Sequence, residues 1–390
     1  MTERTYNLKL VIVLWLAGLG AAAQYGKVSV IFSRLPEVYP EAGTRLGFAV
    51  SLVGFVGIFL GVTAGVLAAR IGFRRAILAA LTVGGVLSLI QASFPPLPAF
   101  LALRVVEGAS HLAIVVAAPT LISQLTPSHL RGLMLTLWGT FFGVAFTILA
   151  WVGLPMVDRF GLAPLFAVHG LYLLVFAAIL FPLLPRDSDH DRGGDLSLAT
   201  ILRKHAAIYA SPFISASAIG WLFYTFCFVS LLTLLPTFVA PQLRVLVIGA
   251  IPLVTIASSM TLGVFLMRWL SEIGVVQTGF ATGAGFALLL VYAPGNPVLI
   301  LCLAGSLGLV QGASFAAVPV LNEPMQDRAL ANGALAQTGN IGNTLGTPVM
   351  VAVIGLGGYT AMMLTAMGAM ACGVLAHGWL ALRRHRVKSA

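Results

Sequence analysis

The chain is short of charge. Only 9% of its 390 residues are Asp, Glu, Lys or Arg, and 59% are hydrophobic; soluble domains carry ~25% charged residues. So little charge excludes a soluble enzyme or a soluble binding module. Cysteine is scarce too. Cys227, Cys302 and Cys372 stand far apart, with neither the spacing of a metal site nor a disulfide framework. Also missing are a phosphate-cradling glycine loop, a nucleophile–base constellation and a metal-ligating cluster. Their absence argues against an enzyme, a nucleotide-driven pump or a resident cofactor. An ion gradient or the solute gradient is left as the energy source.

What the chain has instead is apolar runs. A bilayer-spanning helix needs about 20 apolar residues. Breaks at Pro, Gly and charge divide the chain into twelve candidates, over residues 8–33, 45–68, 74–94, 98–123, 132–156, 162–184, 207–238, 243–267, 274–293, 296–319, 329–356 and 359–381. The first run continues from Leu8 to about Phe32 without a small-residue cleavage site, so it reads as a retained first helix. The longest polar stretch, "PRDSDHDRGGDLSLATILRKH", lies near mid-chain at Pro185 to His205. It divides the chain into a six-helix unit at 1–184, a cytoplasmic linker at 185–206 and a second six-helix unit at 207–390. The fold class is therefore all-α, a membrane protein of twelve spans.

The formal net charge is +10, which raises the question of a nucleic-acid partner. The placement of the charge answers it. Arg70, Arg74, Arg75, Arg131, Arg203, Arg268, Arg328 and Arg383 fall in even-numbered connections or the C-terminal tail, while odd-numbered ones hold chiefly Arg34, Arg45, Arg159 and Arg244. That asymmetry places both termini in the cytoplasm and makes the lipid bilayer, not nucleic acid, the partner.

The chain also echoes itself. "VVEGAS" at Val105 to Ser110 returns as "LVQGAS" at Leu309 to Ser314, 204 positions on; "GVLAAR" at Gly65 to Arg70 returns as "GVFLMR" at Gly263 to Arg268, 198 positions on. Both offsets are near half the chain and keep their order. They describe a parallel six-plus-six duplication, in which substrate is expected near the midplane between rocking halves.

With these residues in view, the sequence resembles the major facilitator superfamily over essentially its whole length. "GVLAARIGFRR" (Gly65 to Arg75) is similar to that family's signature after the second helix, through Gly65, Arg70, Gly72, Arg74 and Arg75. The resemblance implies a cytoplasmic gate there: glycines for a tight turn, arginines at the headgroups. Ala69 stands where the family carries an acidic residue that helps lock the two halves. "RVVEGAS" (Arg104 to Ser110) resembles a fourth-helix motif of proton-linked carriers, whereas the fifth-helix Gly-Pro pattern of drug exporters is absent from "LWGTFFGVAFTILAW". The family resemblance implies a monomeric secondary transporter of the bacterial inner membrane working by alternating access, with loose similarity to cyanate- and nitrate-type anion carriers.

Ionisable groups inside spans are the functional candidates. Counting ~1.5 Å per residue places Lys27 ~9 Å outward of the first span's centre, and Arg104 ~9 Å below the outer end of the fourth. Glu107 lies one turn deeper, His111 near the centre. Gln24 and Lys27 share a face, as do Arg104, Glu107, Gly108 and His111. Lys27, Arg104 and Glu107 sum to one positive charge, and an unbalanced cation in low dielectric invites an anion. Two readings of Lys27 stand open: a substrate anchor, or a structural partner of Glu107 that snorkels or pairs. Glu107 and His111 are the proton-coupling candidates.

In the second half, Gln311 occupies the position of Glu107. Trp221 and Tyr224 form an aromatic stripe, and Gln337, Asn340 and Thr344 an amide-rich one. Trp138 and Thr140 come from the fifth span. The binding set is thus Gln24, Lys27, Arg104, Trp138, Thr140, Trp221, Tyr224, Gln311, Gln337 and Asn340. Asn322, Glu323, Asp327 and Arg328 read as gate or loop contacts, Asp158 and Arg159 as a solvated outer turn, and His169 and His377 as isolated. The expected activity is proton-coupled uptake of a small organic or inorganic anion. The alternatives are proton-coupled export of drugs or metabolites, and a transporter-like sensor that does not transport.

Overall fold

A computed structural model describes residues 8–186 and 198–389. Among them, helices cross at Leu8–Val30, Gly43–Leu60, Phe73–Gln91, Leu97–Leu125, His129–Phe160, Ala163–Leu183, Ser215–Phe238, Pro241–Leu266, Glu272–Tyr292 and Pro297–Leu321. These are spans one to ten. A last helix, Met325–Ser389, is interrupted at Gly357 and Gly358, whose backbone leaves the helical region. Gly358 has φ +65°, a conformation glycine adopts without steric cost. The break yields span eleven (325–356) and span twelve (359–389), at the boundary the apolar runs predict.

Local chemistry sets several of the ends. Asn296 accepts from the backbone amides of Val298 (3.0 Å) and Leu299 (3.2 Å) to open span ten, and Ser271 accepts from Gly274 (3.1 Å) to open span nine. These side chains satisfy amides that a helix start leaves without intrahelical partners. Span two bends at 61–63, continues as Ala64–Ile71 and ends at Gly72 with φ +96°. The tight turn expected of Gly72 is thus present. Arg74 then donates to the Phe181 carbonyl (2.7 Å) at the end of span six.

One boundary is corrected. Span seven begins at Ser215, not 207, because residues 207–210 complete a separate helix, Leu198–Ala210. Pro212 has no amide hydrogen to continue a helix, and Ser211 Oγ accepts from Phe213 (3.4 Å) and Ile214 (3.2 Å) instead. Hydropathy alone runs through this break because Phe213 and Ile214 are apolar. The polar stretch 187–197 of the linker lies outside the described residues.

Within each half, small residues let backbones approach. A Cβ on Gly85 would come within 2.9 Å of the Gly170 carbonyl, joining spans three and six. Gly108 sits against the Val53 carbonyl, and Gly308 makes a like approach to the Thr255 carbonyl. Without a hydrophobic force between helices in lipid, such close packing holds the bundle. Between the halves runs a seam of spans one, two and five against spans seven, eight and eleven. Gly47 faces Pro348, Gly54 faces Thr344, Gly57 faces Asn340 and Gly61 faces Gln337. On the other side, Gly143 meets Pro252 and Ile256, and Gly249 meets Trp151. Both of those helices carry a π-helical turn, at Leu149–Gly153 and Ser259–Gly263, a feature frequent at functional sites.

Candidate functional site

The ionisable residues of spans one and four do meet, inside the first bundle. Lys27, Arg104 and Glu107 are wholly buried. Lys27 Nζ donates to Glu107 Oε1 at 2.7 Å and to Ser88 Oγ at 2.9 Å, and lies 3.2 Å from His169 Nδ1. An ammonium has three donors, so Lys27 is fully engaged. The face of Phe166 covers it at 5.0 Å. His169 Nε2 is 2.9 Å from the Gly20 carbonyl. A carbonyl can only accept, so Nε2 carries the proton and Nδ1 presents its lone pair to the lysine. Arg104 forks onto Glu107 Oε2, the Ala49 carbonyl (2.7 Å) and the Gln24 carbonyl (2.6 Å). Gln91 completes the carboxylate by donating to Oε2 at 2.8 Å.

Two neighbours tie this cluster to the rest of the bundle. Gln24 Nε2 donates to Ser110 Oγ (2.9 Å), which donates to the Ala80 carbonyl (2.7 Å). His111 Nδ1 donates to the Ala21 carbonyl (2.9 Å), and its ring meets Tyr25 edge-on at 5.0 Å. The residues missed from sequence here are His169, Ser88 and Gln91. Ser88 and Gln91 are three apart on one helix face, a weak signal that was present. His169 stands alone in its span and carries none.

A second polar group lies on the seam, and its atoms are unlike those of the cluster. Tyr25 OH, Ser51 Oγ, Asn343 Oδ1, Thr344 Oγ1 and Thr347 Oγ1 are buried without a hydrogen-bond partner among the described residues. Tyr25 faces Asn343 across the seam, and the Asn343 side chain is a loose hydrogen-bonding neighbour short of full geometry. Tyr25 OH and Thr344 Oγ1 converge over Gly54: a Cβ there would be 2.7 Å from the first and 2.5 Å from the second. A buried polar atom with no partner costs ~1–3 kcal/mol, and several lie along this one seam. Aromatic walls flank it. Tyr25 packs near Phe142 (6.0 Å), and Trp221 and Tyr224 stack at 4.4 Å on the far side. Tyr25, Phe146, Tyr224 and Phe228 belong to one continuous apolar cluster that crosses between the halves.

The other sequence candidates fall in several places. Asn340 lies on the seam against Gly57 and bonds its own helix at the Ala336 carbonyl (2.8 Å). Gln337 lies on the seam nearer the termini. It donates to the Ile58 carbonyl (2.8 Å) and accepts from Tyr209 OH (2.8 Å) of the linker helix, with His205 Nε2 at 2.9 Å. Trp138 packs inside the first bundle, stacked on Phe141 at 4.6 Å and pressed against Gly18. Thr140 bonds its own helix at the Leu137 carbonyl (2.7 Å). Gln311 is half-buried on span ten. Gly65 has open space around it. Arg328 Nε donates to the Asn322 carbonyl (2.8 Å) at the end of span ten, and Asn322 Nδ2 donates to the Val318 carbonyl (3.0 Å). Asp158 pairs with Arg34 at 3.1 Å.

Comparisons with known proteins agree with this architecture. Over 163 residues, covering 41% of this chain and 37% of the relative, the sequence is 30% identical to the niacin transporter NiaP of Acinetobacter baylyi. Over 179 residues, covering 45% of this chain and 39% of the relative, it is 30% identical to the 4-hydroxybenzoate transporter PcaK of Pseudomonas aeruginosa. The matched stretches thus span well under half the length of either relative. The family model of the Major Facilitator Superfamily matches residues 14–323, most of the chain. With helices, two halves and a seam of this kind on the page, the chain belongs to the Major Facilitator Superfamily, a family of membrane transporters and not of enzymes.

Proposed function

We propose that this protein is a secondary transporter that takes up a small ring-bearing carboxylate across the bacterial inner membrane, coupled to protons, as a monomer with both termini in the cytoplasm. The observation that carries the reading is the seam beside the first bundle. Hydroxyl and amide atoms on Tyr25, Asn343 and Thr344 without a well-formed hydrogen bond among the described residues lie between aromatic walls, next to a buried cluster with one uncompensated positive charge. Arg104 holds the Gln24 carbonyl, one residue before Tyr25, so that charge acts on the seam through low dielectric. The rings suit stacking and the polar atoms suit hydrogen bonds to a carboxylate and a ring substituent. Niacin and 4-hydroxybenzoate, named for the two relatives, are both ring-bearing monocarboxylates.

In this mechanism the anion docks at the seam and the halves rock about it. Lys27, Arg104 and Glu107 set the local potential from behind the site. Glu107 and His111 are the proton-handling groups: the carboxylate is held by both cations, and His111 connects the Ala21 carbonyl to the Tyr25 ring. The test is uptake of radiolabelled nicotinate and 4-hydroxybenzoate into proteoliposomes under an imposed inward proton gradient. Accumulation abolished by a protonophore is the expected result. Gradient-driven movement of cationic compounds, with no accumulation of either acid, would replace this reading with export.

A further inference from the structure

A cavity of about 180 Å³ opens on the face opposite the termini, between spans one and five of the first half and spans seven and eight of the second. Ser29, Arg34, Asp158, Thr233, Thr237 and Arg244 contribute its polar lining. Arg34 is already engaged, by Glu37 at 2.6 Å and Asp158 at 3.1 Å. Arg244 is not: its Nε is buried without a hydrogen-bond partner among the described residues. The lining therefore carries one uncompensated guanidinium beside several hydroxyls. A guanidinium fork matches a carboxylate in two parallel bonds. The size limits the guest, since pockets for drug-sized ligands run ~300–1,000 Å³.

The floor of this cavity is a hydrogen bond between the halves, Ser29 Oγ to Thr233 Oγ1 at 2.5 Å. Ser29 and Thr233 are 204 positions apart, the same offset as Glu107 and Gln311 in the internal repeat. The pair thus joins equivalent points of the two halves, where a rocking motion parts both sides alike. Ser29 is also four residues beyond Tyr25, on the same stripe of span one and ~6 Å further out.

We propose that this cavity is a second, outer binding site for the same small carboxylate, with Arg244 as its anchor, and that the Ser29–Thr233 bond is the partition between it and the seam site. The proposal rests on the anion reading of the seam. An incoming acid pairs with Arg244 first, then passes inward when the halves separate at Ser29 and Thr233. Asp158 at the mouth is turned onto Arg34, which it shares with Glu37, so its repulsion of the acid is reduced while Arg244 supplies the attraction.

The test is equilibrium binding of radiolabelled 4-hydroxybenzoate to the purified full-length protein. Wild type is expected to bind two equivalents, Arg244→Gln one, and Arg244→Lys two with the outer site at least tenfold weaker. Ser29→Ala is expected to keep both sites and to release the inner ligand several-fold faster. One equivalent in wild type that survives Arg244→Gln unchanged overturns the outer site while leaving the seam reading intact. No binding in wild type overturns both. Unchanged release from Ser29→Ala overturns the partition.

Discussion

The interior of the first bundle and the seam between the halves both bury polar side chains, yet only the first holds charge. Inside the bundle, Lys27, Arg104 and Glu107 have every charged atom matched by a partner from spans one to four and span six, and only the neutral amide oxygens of Gln24 and Gln91 beside them are left open among the described residues of this cluster. Along the seam, Tyr25, Ser51, Asn343, Thr344 and Thr347 leave oxygens unmatched. The charges are matched inside one bundle, whereas on the seam several neutral hydroxyl and amide oxygens face the other half unmatched. A saturated network resists change, and an unsaturated one costs stability that a bound solute can restore.

The largest effect should come from breaking the saturated side. Glu107→Gln leaves two buried cations without their carboxylate and is expected to lower stability by about 3–5 kcal/mol, read as a fall in unfolding midpoint in detergent. An unchanged midpoint would mean that the cluster is wetter than it looks. Next comes the steric version at the seam. A side chain at Gly54 would strike Thr344, Tyr25 and the Asn340 carbonyl, all within 3.0 Å of a Cβ, so Gly54→Val should cut uptake at least tenfold while the protein still folds. Normal uptake by this variant would move the site elsewhere.

Tyr25→Phe sharpens the contrast further. It removes a hydroxyl that makes no well-formed hydrogen bond among the described residues, only a loose contact with Asn343, so thermal stability should stay nearly level. Affinity for 4-hydroxybenzoate should fall about tenfold, roughly 1.4 kcal/mol. Loss of stability with unchanged affinity would reverse the assignment of seam and bundle. The smallest effect is expected at the linker helix. Tyr209→Phe deletes one hydrogen bond to Gln337, worth about 0.5–1.5 kcal/mol. It should show as faster amide exchange of Leu198–Ala210, with little change in the rest of the chain.

Much of the architecture was legible from residue order. Apolar runs bounded by Gly357 and Gly358, or opened by Pro241 and Pro297, mark where helices end, because the bilayer demands length and those residues demand interruption. Depth was legible too, since rise per residue is constant: Lys27, Arg104 and Glu107 were expected at one level, and they meet. Rotation was not. Tyr25 lies one residue after Gln24 and two before Lys27, yet it turns to the seam while they turn inward. Asn343 is three residues beyond Asn340, and nothing in the sequence distinguishes the one that bonds its own helix from the one that turns to Tyr25 across the seam.

Residue order by itself therefore determined the membrane class, the number and depth of the spans and the sign of the buried charge. These follow from composition and from spacing along a single helix. Tertiary structure alone decided which polar atoms found partners. His169 reaches Lys27 from 142 residues away, and Thr344 reaches Gly54 across two bundles. Whether a buried group is satisfied depends on the other helix that faces it, and no single helix carries that information.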